Sequence, residues 1–361
     1  MTRQFTTVSA LALAAFTSMS GAAVAQETLR MTIAAGHPEV FAWVRLMEEV
    51  FMPAVNEELA KTGELQIEWT TAWGGTLVKL GAETQAMQDG IIDVAQASGI
   101  FDPANLGILN LSYAMPFGPT DPRLVAQAGD AALLAQEGFR EQLAEETGAV
   151  LIGGGIALEG YNIATTMPLR TRADMAGVKI GGAGPNLAWL DTTGAVGVQG
   201  SYVSFYNDVK TGVVDGMISW STGNAPAKIW EVAPYYNEVD FGAMYAGGLA
   251  VSKMRWDTFS EATKQAFITA ADAYQDAYFD DLEASIEKAY AAMEAGGGEV
   301  VEFDEADRLA WINEMANPVV AWRQAALDRG EPVDEILTAY VAYLEDAGFT
   351  YPRDYLGELS E

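Results

Sequence analysis

Three features of this 361-residue chain predict an α/β fold divided into two lobes. Strand-like and helix-like segments alternate through its first third, which is the grammar of an α/β sandwich. Two helix-glycine-strand segments about 120 residues apart repeat one another, as related lobes would. A third stretch, roughly 36 residues without a proline, makes a helix on the order of 50 Å, longer than one lobe.

The N-terminus is set apart from this pattern. Arg3 precedes an apolar run through Val8, Leu11, Leu13 and Phe16 that ends at Ala23-Val24-Ala25. The run is too short to span a bilayer and its small-residue ending fits a secretory signal peptide over 1–25, with cleavage expected after Ala25 and a periplasmic destination. About 336 residues would remain, more than one hydrophobic core usually serves.

The first strand is expected over Leu29 to Ala34, followed by the turn Gly36-His37-Pro38. From Phe41 the apolar positions Val44, Met47, Phe51, Val55 and Leu59 keep helical spacing up to Gly63, with Pro53 expected to kink or divide the helix. Leu65 to Trp69 reads as a strand, Trp73-Gly74-Gly75 as a loop, and Leu77 to Gln88 as another helix. The echo then pairs Gln85 to Asp93 with Asn207 to Asp215. In each a glycine, Gly90 or Gly212, closes the helix and paired β-branched residues open a buried strand. Ligands in open α/β sheets bind beyond the carboxyl ends of strands, so the residues after each echo are expected at a shared cleft. The long helix is expected to start at a capping box, Thr258-Phe259-Ser260-Glu261, and to end at Gly296-Gly297-Gly298.

Composition excludes several classes. There are 20 basic and 50 acidic residues, a formal net charge of −30, and loss of Arg3 with the leader makes it −31. Nucleic acid and anionic membrane are therefore excluded as partners. The chain has no cysteine and one histidine, His37, so disulfides, thiolate metal sites and most zinc or acid-base schemes are not available. No metal and no cofactor is expected. Nucleophile elbows and phosphate loops are missing too, which argues against an enzyme.

The densest motifs are Arg172-Ala173-Asp174-Met175-Ala176-Gly177-Val178-Lys179-Ile180, then Thr211-Gly212-Val213-Val214-Asp215-Gly216, with Ala114-Met115-Pro116-Phe117 upstream. In order and spacing they resemble the solute-binding subunits of TRAP transporters, the DctP-type family. The resemblance implies a two-lobed periplasmic binding protein fold with crossing strands and a spine helix. It also implies no catalysis, and delivery of a small molecule to the transporter's small and large membrane subunits. The lobes are expected as 26–157 plus 246–285 and 158–245 plus 286–361. The apolar surface of Val319 to Leu344 would allow a homodimer as well as a monomer.

The sequence departs from the family where it matters for cargo. The arginine that usually follows the Lys-Ile of the motif, and grips a substrate carboxylate, is Gly181 here. A second arginine position aligns with Tyr161, and an asparagine position with about Ser219. A desolvated carboxylate without its cation costs several kcal/mol, so the ligand is expected to be neutral, cationic or aromatic. The alternative is an organic acid held by Lys79, Arg45 or backbone amides near Pro185-Asn186. Candidate ligand contacts are Trp73, Tyr161, Tyr202, Trp220 and Tyr245 as aromatic walls, and Ser98, Ser219 and Asn186 as polar groups. His37 in the first strand-to-helix turn joins them, and Glu39 would complete a cation site. Trp43, Trp69, Trp189 and Trp230 keep regular periods and are expected in cores. A binding protein of an ABC transporter or a sensor would share the same cleft physics.

Overall fold

The structure, a computed structural model, describes residues 27–63 and 65–360. The expected signal peptide lies outside these residues. Eleven strands form two mixed sheets among the described residues. The first contains β1 (Glu27–Ala34), β2 (Leu65–Ala72), β3 (Val94–Ala97), β4 (Ala149–Leu158) and β10 (Met244–Ser252), in the order β2-β1-β3-β10-β4. The second contains β5 (Asn162–Thr165), β6 (Lys179–Gly182), β7 (Val196–Gln199), β8 (Gly216–Ser219), β9 (Tyr235–Glu238) and β11 (Glu299–Glu302), ordered β11-β9-β5-β8-β6-β7. Helices cover both, giving the two lobes that the periodicity predicts.

The echoed segments explain themselves here. Gly90 and Gly212 adopt φ of 69° and 75°, a left-handed turn that glycine adopts without a Cβ clash. The aspartate closing each echo then ties its strand to a neighbour: Asp93 accepts the Thr32 backbone N–H at 2.7 Å, and Asp215 accepts that of Lys179 at 2.9 Å. Thr32 is on β1, parallel to β3, and Lys179 on β6, parallel to β8. The repeated aspartate is thus a strand clamp, and the residues beyond it, Ser98 and Trp220, reach the space between lobes.

Two antiparallel segments carry the chain across. β4 and β10 pair from Ala149↔Ser252 to Leu158↔Met244, and the crossing continues as Tyr161 N–H to Gly242 O and Phe241 N–H to Tyr161 O. The Ala114–Phe117 motif pins this crossing. Phe117 donates its N–H to Phe241 O and sets its ring 5.2 Å from that of Phe241.

The spine helix runs Glu261–Ala295, 35 residues, about 52 Å at 1.5 Å per residue. It is capped two residues later than expected: the Ser260 side chain accepts the Thr263 N–H, and the Thr258 hydroxyl instead donates to the Arg255 carbonyl. Tyr274 donates to Trp43 O and Gln275 to Gly155 O in the first lobe, while Tyr290 donates to Glu238 in the second. One rigid rod therefore contacts both sheets.

Other expectations shift locally. The helix after Phe41 is Ala42–Leu46 and Met52–Thr62 joined by a π-helical turn, Met47–Phe51. Pro53 lies in the first turn of the second piece, where its missing N–H costs least. The helix foreseen from Leu77 covers only Glu83–Gln88, because Gly81, at φ 83°, breaks the periodic run. Residues 286–361 do not stay together: β11 joins the second sheet, while Val333–Asp346 packs on Pro122–Leu134 in the first lobe. That packing buries Ile336, Leu337, Tyr340 and Leu344, the apolar surface offered above for a homodimer.

Gly247 marks the tightest approach at the crossing. A Cβ there would fall 1.8 Å from Ala97 O, at a φ of 97°. Gly247→Ala should therefore destabilise the protein by more than about 2 kcal/mol through overpacking and strain, read as a lowered urea midpoint at unchanged m. An unaltered midpoint would show that β10 can shift away from β3.

Candidate functional site

The cavity between the lobes is built from the crossing strands and the loops that follow β1, β3, β6 and β8. His37, Phe41 and Trp43 come from the first strand-helix turn, Gln96 to Phe101 from the end of β3, and Ile156, Leu158 and Tyr161 from the crossing. The second lobe supplies Ala183, Asn186, Tyr202, Phe205 and Trp220. With Tyr113, eight Phe, Tyr or Trp side chains line the cavity among the described residues, and no Lys, Arg, Asp or Glu of these does so. The empty space within it is about 750 Å³, open solvent at its mouth included.

The rings form one connected wall. Phe41 stacks on Trp43 at 4.4 Å, meets Tyr202 across the cleft at 6.3 Å, and Tyr202 packs on Trp220 at 5.0 Å. Trp220 continues to Tyr161 at 5.2 Å, whose hydroxyl bonds that of Tyr113 at 3.1 Å. Each such pair is worth about 0.5–1.5 kcal/mol beyond its buried area. The contact between Phe41 and Tyr202 joins the lobes directly.

Polar capacity in the cavity is sparse and partly uncommitted. Tyr202 Oη donates to Gly223 O. The indole N–H of Trp220 and Oδ1 of Asn186 are buried without any partner. An orphaned group of this kind costs about 1–3 kcal/mol, recoverable by a ligand that supplies an acceptor and a donor. His37 sits edge-on to Phe41, Trp43 and Phe101 at 5.2–5.5 Å.

A smaller chamber adjoins the main cavity, sharing the lining residues His37, Gln96, Ser98 and Phe101 with it. It leaves about 20 Å³ for water-sized centres and is bordered by Glu83. Glu83 Oε1 accepts the Gly36 N–H at 2.9 Å and Oε2 the Gly81 N–H at 2.7 Å. Burial raises its pKa above the ordinary carboxylate value despite these bonds.

Of the ten residues foreseen, His37, Ser98, Tyr161, Asn186, Tyr202 and Trp220 meet at this cavity, and four do not. Glu39 is exposed and borders neither chamber. Trp73 is in the first-lobe core, its indole N–H donating to Glu48 at 2.8 Å. Ser219 is fully buried behind Trp220, its hydroxyl accepting from Asn224. Tyr245 points away, towards Asp130 at 2.7 Å, because alternation along β10 gives the cavity its neighbour Ala246. Trp43, assigned above to a core, is buried in it and lines the cavity as well, while Trp189 is buried and donates to Tyr113 O.

Phe41, Phe205 and Glu83 were missed. Phe41 and Phe205 read as ordinary apolar positions of amphipathic helices. The one signal for Phe205 is the pair of glycines at 181 and 200, where a Cβ would approach its ring to 2.6 and 2.5 Å. The side chain that would begin at position 181 is thus displaced by the Phe205 ring. The other cations foreseen for an acid are engaged elsewhere: Arg45 pairs with Glu49 and Asp281, and Lys79 donates to Gly75 O. The segment after Pro185-Asn186 is a 3-10 turn, Gly184–Leu190. Among the described residues no cluster is arranged to hold a metal ion, and no helix is long and apolar enough to cross a membrane.

Desolvation drives the imidazole of His37 down to about 4 from 6.5. Between those values the unfolded chain binds a proton that the folded chain does not. Stability from this group is complete above pH 6.5 and is lost as pH falls, about 3 kcal/mol by pH 4. As the one histidine in the chain, its imidazole proton resonance should titrate near 4. Its replacement by Gln should flatten the stability profile relative to wild type between pH 6.5 and 4. A midpoint near 6.5 would place the ring in solvent.

Comparison with known proteins agrees with this architecture. The sequence model of the bacterial extracellular solute-binding proteins, family 7 (DctP), matches residues 44–325. A solute-binding protein of Chromohalobacter salexigens is 31% identical over 140 residues, which span 38% of this chain and 40% of that relative. A TRAP periplasmic solute-binding protein from Desulfovibrio salexigens superposes with a TM-score of 0.73 at 17% identity, covering 89% of this chain and 98% of that one. A Bordetella pertussis extracytoplasmic solute receptor binding pyroglutamic acid gives 0.68 at 17% identity over 86% and 99%. A Chromohalobacter salexigens TRAP protein with bound D-glucuronate gives 0.68 at 19% identity over 87% and 99%. At these identities the structures establish the fold, and the family is one of binding proteins rather than enzymes. With its family model matched across both lobes, the chain belongs to the DctP family of bacterial extracellular solute-binding proteins.

Proposed function

We propose that this protein is the periplasmic receptor of a TRAP transporter. It captures a small solute without a free carboxylate and hands it to the small and large membrane subunits. The observation that carries the reading is the cavity wall: eight aromatic rings and no charged side chain. Relatives of this fold bind glucuronate and pyroglutamic acid, both acids. In this chain Gly181 stands where a carboxylate-gripping arginine is usual, and Phe205 fills the space beside it. A carboxylate placed here would lose its hydration for ring faces, whose negative quadrupole repels it, at a cost of several kcal/mol. A neutral or cationic body meets no such cost and gains from the same faces.

Lobe closure supplies the retention. Contacts from both lobes favour the closed state by the difference in affinity they create, and Phe41 and Tyr202 are placed to make such contacts from opposite sides.

Calorimetric titration of the exported chain against amines, neutral aromatic and aliphatic compounds, and C4-dicarboxylates tests this. A ligand at 100 times its Kd should add about 2.7 kcal/mol of stability, and Trp220→Ala should weaken it by about tenfold or more. Tight binding of a plain dicarboxylate would overturn the reading.

A further inference from the structure

We infer that the solute is a small primary amine, its ammonium group seated against Glu83 in the smaller chamber and its carbon body among the rings of the main cavity. This rests on the reading that the cleft refuses a carboxylate, and narrows it to one chemical class.

The two spaces share four lining residues, so Glu83 borders a space that adjoins the ring-lined cavity. Across them Glu83 is the single formally charged side chain among the described residues. Its position is fixed from behind by the Gly36 and Gly81 amides, one to each oxygen. The backbone N–H of Glu83 itself also bonds this carboxylate, so of about four acceptor sites one remains for a ligand. An ammonium has three donors and no acceptor, and the Ser98 hydroxyl and Gln96 amide oxygen border the same chamber. Those are acceptors for the N–H groups that Glu83 does not take.

Hydrogen bonding selects within the class. A primary ammonium brings N–H donors to Glu83 and its neighbours, whereas a trimethylammonium has none. The rings then meet the carbon adjoining the cation, where the attraction between charge and ring face adds to burial. A hydrogen-bonded charge pair in so dry a site discriminates against a neutral hydroxyl far more than an exposed pair would. The sequence suggested Glu39 for this role; Glu83, 44 residues along and unmarked by any motif, occupies the place.

Titration of the wild-type chain with phenethylamine, 2-phenylethanol, phenylacetate and trimethyl(2-phenylethyl)ammonium, alongside straight-chain C2 to C6 primary amines, tests the assignment. At least one primary amine should bind about tenfold or more tighter than its alcohol and its trimethylated analogue. Glu83→Gln should weaken that amine by about tenfold while changing the alcohol less than about threefold. If the Gln variant fails to fold, Ser98→Ala, at the same chamber, should weaken the amine selectively. Equal affinity of alcohol and amine, or no binding by any of the amines, overturns the ammonium site and leaves the exclusion of carboxylates standing. Tighter binding of phenylacetate than of either overturns that exclusion as well.

Discussion

The pairing of β4 with β10 is the constraint on which the rest of the molecule depends. Each strand lies in the first sheet, and their extensions, joined at Tyr161, Phe241 and Gly242, are two of the segments that reach the second. Because the pairing continues to the lobe boundary, the crossing residues are held as sheet and not as loose linkers. Ile156, Leu158, Tyr161 and Ala246 then fall on the cavity floor by strand alternation. The close approach at Gly247 and the pinning of Phe241 by Phe117 fix the register, so the floor of the site and the crossing between lobes are one element.

Two further contacts constrain the second lobe over that floor. Glu159, in the crossing, accepts bonds from the Ser221 hydroxyl and from the Thr222 N–H and hydroxyl. It thereby anchors the start of the helix Ser221–Ala227 directly after Trp220. The spine helix packs against that same short helix and against β4. Trp220 is therefore presented to the cavity from a segment held on both sides, which is how an aromatic wall acquires a defined shape.

The electrostatics follow from this dryness. A chain with formal net charge −30 keeps its carboxylates outside the main cavity, and its lone histidine is neutral there because burial disfavours the imidazolium. An environment that suppresses the charge of His37 would exact a comparable penalty from an unpaired ligand carboxylate. Glu83 tolerates the same surroundings because two amide dipoles support it, and a cation would complete its coordination.

Periodicity and composition determined a good part of this protein. Alternation of strand and helix, the glycines at 90 and 212, and an uninterrupted 35-residue helix follow from local backbone preference and apolar spacing, so they are legible one residue at a time. The clustering of His37, Ser98 and Trp220 after strand ends follows from position within a motif and was legible for the same reason. Tertiary structure alone decided which way each ring faces. Trp73 and Trp43 are both tryptophans near the first strand-helix turns, yet one bonds Glu48 in the core and the other lines the cavity. Tyr245 and Ala246 are adjacent, and strand alternation turns the smaller one inward. The position of Glu83 could not be read at all, since the loops around Gly36, Gly81 and Ser98 that it joins meet only when β1 and β3 lie side by side. Side-chain direction and long-range proximity are properties of the packed sheets, and no local pattern encodes them.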